Sequence, residues 1–205
     1  LLFAALVLVI SLLYLSPLAA TYRLSMSSEM YSHLILIPLV TAYLVYIKKE
    51  ESFSCPYHGN LRLQSVLAGS AMLLLRTGII LDSHSLLVAS WVFLVWFCFL
   101  IVYGAPSFKT VLFPLLFLIF LVPVPPSLLD RLISLLLWGS DHVTAFLFSL
   151  TGIPFLHEDY NYRLPHLSIY IAPECSGIRS STALFLTAVL ADYMILRRWW
   201  SRSLL

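Results

Sequence analysis

Cys175, Ser176, Gly177 and Arg179 lie in "PECSGIRSS", Pro173 to Ser181, where a polar segment meets the apolar run Ile178 to Leu196. A thiol close to the start of a helix is placed to be acidic. Free N–H groups and the positive end of the helix dipole both stabilise a thiolate. Arg179, four residues beyond the cysteine, is expected on the same helical face, where it adds a full positive charge. The amides of Ser176, Gly177 and Ile178 are in place to meet an oxyanion on an attacked carbonyl, and Gly177 lets the backbone approach a substrate closely. The competing reading is structural: Gly177 turns the loop into the helix, and Cys175 is a small packed side chain. Spacing alone leaves both open, because a lone cysteine near a helix start is not a motif.

A thiolate nucleophile also needs an acid to protonate the leaving amine. The candidates are His84, His142, His157 and His166, with His33 near the outer end of the second apolar run; each, taken singly, reads more readily as a satisfied or solvated histidine than as a catalytic one. Glu174 either binds a substrate amine or is solvated. Arg76, inside the third run, either snorkels to the surface or serves a buried role. The remaining cysteines, Cys55 in a polar loop and Cys98 in "WVFLVWFCFLIVY", form no CxxC pair, so neither a disulfide framework nor a zinc site is expected, and no metal or cofactor is assigned.

The elements that position these residues follow from composition. With 60% hydrophobic and 11% charged residues, the chain is expected to be a polytopic membrane protein. A net charge of +2 with scattered basic residues excludes a nucleic-acid binder. Apolar runs near 1–20, 32–47, 63–81, 85–103, 108–123, 128–150 and 178–196 are candidate spans. Short linkers argue for one bundle, 1–205, of all-α class. The chain starts at Leu1 without a methionine and stops after a basic cluster, so it reads as a fragment.

Lys48, Lys49, Arg62, Lys109, Arg197, Arg198 and Arg202 mark the cytoplasmic side, which puts Cys175 outside. Two full crossings between Ser107 and Leu150 would break that parity, so one segment there is expected to be a half-crossing or re-entrant turn at Pro123, Pro125 and Pro126. Ser127, Asp130, Arg131, Ser134, Trp138, Asp141 and His142 recur at helical steps and predict a polar stripe, facing either a polar cavity or the outer interface. The segment 151–175 alternates in "HLSIYIA" and carries a turn signal, "DYN". It predicts a small extracytoplasmic hairpin or loop cap, able to receive a peptide and leading to the cysteine.

"APECSGIRSS" resembles the exosortase/archaeosortase family of membrane transpeptidases, and "YSHLILIPLV", "FPLLFLIFLVPVPP" and "TGIP" occur in the matching order from about Tyr31 onward. The resemblance implies Cys175 as nucleophile and, as substrate, the C-terminal sorting tail of a secreted protein. It implies a catalytic arginine and a third member in helices beyond Leu205, so those roles pass neither to Arg179 nor to the histidines here. Arg179 is expected to support the thiolate or substrate carboxylates. Bacterial members are the more similar, which implies PEP-CTERM-like tails, a cytoplasmic membrane and work on the cell envelope. The rival readings are a transporter with Arg76, Asp130, Asp141 and His142 along a polar path, and an export-system subunit without activity.

Overall fold

The computed structural model describes residues 2–27, 29–50, 58–152, 154–158, 160–164, 167–172 and 177–195; for Glu29, Met30, Glu158, Arg179 and Ile195 it describes the backbone alone. Among these residues there are eight α-helices and one small sheet. The chain divides into two compact units, Leu1–Pro125 and Pro126–Leu205.

The first unit opens with α1 (Leu2–Leu13) and α2 (Leu15–Ser27), bent by 80° at their junction. Pro17 explains the break. It has no N–H to give to the carbonyl of Leu13, and its ring crowds that carbonyl. A 3-10 turn, Glu29–Ile35, leads into α3 (Leu36–Ile47). Asn60 caps α4 (Leu61–Ile80), its side chain accepting from the Leu63 N–H at 3.2 Å. The central helix is α5 (His84–Thr110), which packs against α4 and α1 and buries Val88, Val92, Phe99 and Leu100 completely.

Helix α5 kinks at Gly104, whose φ of 80° and ψ of 175° suit glycine alone. The break frees the Ala105 N–H, which donates to the His58 carbonyl at 3.1 Å, while Pro106 has no N–H to satisfy. After the kink come α6 (Leu112–Phe117) and a 3-10 turn, Leu118–Leu121. Trp96 donates its indole N–H to the Leu115 carbonyl at 2.8 Å and ties α6 to α5.

The second unit consists of α7 (Pro126–Thr151), an antiparallel sheet and α8 (Ile178–Ile195). The sheet has the order β1 (Leu156–Glu158), β2 (Asn161–Leu164), β3 (Leu167–Tyr170). Proline suits the first position of α7, where its missing N–H leaves nothing unpaired.

Among the described residues three helices, α4, α5 and α7, are long and apolar enough to cross a membrane, or four if α1 and α2 count as one bent span, fewer than the seven candidate runs. The run at 32–47 yields a short helix, Tyr31–Ile47, and the run at 108–123 yields only Leu112–Leu121. Ten residues rise about 15 Å, roughly half the hydrocarbon thickness, so α6 cannot span fully. The run at 178–196 forms α8, whose far end passes out of the described residues. The exposed faces of these helices carry Leu8, Leu13, Leu61, Ile80 and Leu150, as a lipid-facing surface requires.

Candidate active site

Helix α8 begins where the sequence requires. The Gly177 carbonyl accepts the first helical bond, from the Ser181 N–H at 2.9 Å, and Gly177 itself has φ +71°. A Cβ at Gly177 would meet nothing within 4 Å, so the position asks for glycine through its backbone angle rather than for lack of room. Thr182 folds back to give its hydroxyl to the Ile178 carbonyl at 2.6 Å. The second helical residue is Arg179. Gly177 stands in the left-handed region just before Ile178, where the described helix begins. Cys175, Ser176 and Glu174 lie outside the described residues.

Ahead of this helix start stands the sheet that feeds it. β1 pairs with β2 in a register that sets His157 directly opposite Tyr162, and the two rings stack with centroids 4.5 Å apart. Tyr162 is wholly buried, packed also against Phe148 and Phe155. Its hydroxyl donates to the Asp141 carboxylate at 2.7 Å and lies 2.8 Å from the Asp141 main-chain carbonyl. The same carboxylate oxygen meets His157 Nε2 at 2.9 Å. Burial first, then the hydrogen bond and charge of Asp141, pushes the Tyr162 hydroxyl far above the ordinary tyrosine range.

Asp141 therefore holds the sheet against α7. Of the expected polar stripe it is the buried member, whereas Asp130, Arg131, Ser134, Trp138 and His142 are exposed. His142 Nδ1 lies 2.8 Å from the Trp138 carbonyl, and the two rings are 4.2 Å apart. His84 Nε2 meets the Thr21 hydroxyl at 2.9 Å, and that hydroxyl donates to the Pro17 carbonyl. His33 is half-buried in the 3-10 turn before α3, Arg76 is exposed on α4, and His166 is outside the described residues. Among the described acid–base candidates of the second unit, His157 is joined to Asp141. Sequence reasoning missed Tyr162 as the third member of that group. Its strand, "NYRL", is too short to show a period, and the register that sets it across from His157 is a property of the folded sheet.

Over residues 25–205 the chain matches the model of the transmembrane exosortase family, Exosortase_EpsH. It belongs to that family. No curated protein and no solved structure matches it. The match runs through the whole of "APECSGIRSS" and through α3 to α8, so this exosortase is a multi-pass membrane protein, and its family supports a membrane transpeptidase role in broad terms.

Proposed function

We propose that this exosortase is a membrane cysteine peptidase and transpeptidase that cleaves the C-terminal sorting tail of exported proteins. Its family match, which covers the cysteine motif, carries the reading. Cys175 Sγ attacks the peptide carbonyl, the tail leaves with its amine protonated, and a thioester remains on Cys175 until an acceptor amine or water releases it. The start of α8 two residues beyond Ser176, with Gly177 in a left-handed turn, supports a role for the free amides there in holding the oxyanion. Arg179, at the second position of α8, supports the thiolate or a substrate carboxylate. In this reading the sheet of residues 156–170 is the cap that receives the peptide, and basic residues at 48–49 and 197–202 support an extracytoplasmic position for cap and thiol at the cytoplasmic membrane. The tail is of PEP-CTERM type.

The experiment is co-expression of the full-length enzyme with a tail-bearing substrate. Tail loss is expected with the wild type, none with Cys175→Ala, and severe impairment with Cys175→Ser, whose hydroxyl stays protonated at a helix end. Processing by Cys175→Ala at the wild-type rate would remove the thiol from the reaction and favour the noncatalytic export subunit.

A further inference from the structure

In the first unit, far along the chain from the cysteine, a cleft of about 390 Å³ runs between α1 and α3. Phe3 and Val7 form one wall, Pro38, Thr41, Ala42, Val45 and Tyr46 the other. Its floor is the buried row Trp91, Val95 and Phe99 of α5, with Leu115 and Leu118. Lys49 stands at one end, its ammonium folded back to 4.2 Å from the centre of the Tyr46 ring. Glu50, next in sequence, does not line the cleft.

We propose that this cleft binds one acyl chain of an anionic glycerophospholipid, with the phosphate on Lys49. The chemistry of the walls defines the occupant. The lining is apolar except at its cationic end, so the ligand is apolar with one anionic head. A transmembrane helix is too thick: at about 10 Å across it would fill the cleft within roughly one turn. An extended acyl chain suits the narrow volume.

Lipid tails are as apolar as leucine, so the chain itself gives no preference over bulk lipid. Selectivity must come from the head, and one lysine near an anionic phosphate favours it by about five-fold.

The test reconstitutes the full-length protein in bilayers carrying phosphatidylglycerol or phosphatidylcholine with a photoactivatable acyl chain, and maps the labelled peptides. Labelling of 38–46 and 91–99 is expected to be about five-fold higher with the anionic probe. Lys49→Gln should equalise the two probes. Ala42→Phe, which fills the cleft, should cut labelling of 91–99 by both probes and leave labelling of α7 unchanged, and Ala42→Leu gives the same reading should the larger residue impair folding. Equal labelling by both heads in the wild type, or a floor labelled as strongly after the cleft is filled, overturns the proposal. Displacement of the probe by a sorting-tail peptide would assign the cleft to a peptide instead, and overturns it too. None of these outcomes depends on the thiol of Cys175.

Discussion

Tyr162 is the wholly buried side chain of the sheet, and its hydroxyl reaches the carboxylate of Asp141 on α7 at 2.7 Å. One aromatic residue thereby joins a strand to a helix more than twenty positions earlier. The same carboxylate oxygen serves His157, so Asp141 is the shared acceptor of both cross-strand neighbours.

Asp141→Ala removes that acceptor and leaves Tyr162 with the main-chain carbonyl alone. A hydrogen bond to a charged group contributes about 1.5–3 kcal/mol, so about 2 kcal/mol of local stability should be lost. Asp141→Asn keeps a carbonyl oxygen for the tyrosine and should lose less. Limited proteolysis within 154–172 checks the order: alanine fastest, asparagine intermediate, wild type slowest. Equal cleavage of all three would mean that the carboxylate does not hold the sheet.

Alkaline pH acts through Tyr162 with a definite sign. Its hydroxyl is held above the ordinary value of 10, so between 10 and that raised value the unfolded chain releases the proton while the folded chain keeps it. Stability is present in full below pH 10 and falls as pH rises through this window. Tyr162→Phe should lower stability at neutral pH and flatten its decline above pH 10. Urea unfolding at neutral and alkaline pH measures both effects, and an equally steep decline in the phenylalanine variant would assign the loss to other groups.

At Gly177 the two explanations for glycine separate. Alanine finds open space but must adopt φ +71°, which costs an L-residue about 1–2 kcal/mol. Asparagine tolerates that region better. If the turn alone matters, Gly177→Asn should retain more tail processing than Gly177→Ala. If both variants lose processing equally while their melting curves stay near wild type, the bare backbone is needed for contact with substrate.

The α4–α5 turn makes a similar contrast. A Cβ on Gly78 would stand 3.0 Å from Leu87 Cδ2 and 3.1 Å from the Leu87 main-chain nitrogen, so the Leu87 backbone must give by a few tenths of an ångström to admit it. Gly78→Ala should destabilise by roughly 1–3 kcal/mol. Gly69, on the same helix with nothing within 4 Å of its Cβ position, should be neutral or gain about 0.5–1 kcal/mol from better helix propensity. Thermal unfolding in detergent should rank them in that order.

Hydropathy made the membrane class legible, because burying no large apolar surface in water leaves lipid as its solvent. Candidate runs outnumber the long helices among the described residues, since apolar composition carries no record of where a helix ends: the run at 108–123 yields only Leu112–Leu121. The prolines at 123, 125 and 126 did mark a real boundary, between the short α6 and the long α7. The sheet was legible from alternation, as a hairpin rather than three strands, because the β2 segment "NYRL" is too short to show a period. Asp141 stood out as part of a stripe, yet its partners come from strands 16 and 21 residues later, and such pairing depends on how the sheet folds back over the helix. The cysteine motif itself was legible through resemblance, since four residues of local chemistry cannot distinguish a nucleophile from a packed thiol.

Strands of three and four residues make a sheet too small to persist alone in water. Its amides are expected to exchange as one cooperative unit, whose opening requires withdrawing the Tyr162 ring from its place between Phe148, Phe155 and His157. Hydrogen exchange across 156–170 should therefore show a single protection level, well below that of the α5 interior, and Phe148→Ala, a change on the helix, should lower it for all three strands together.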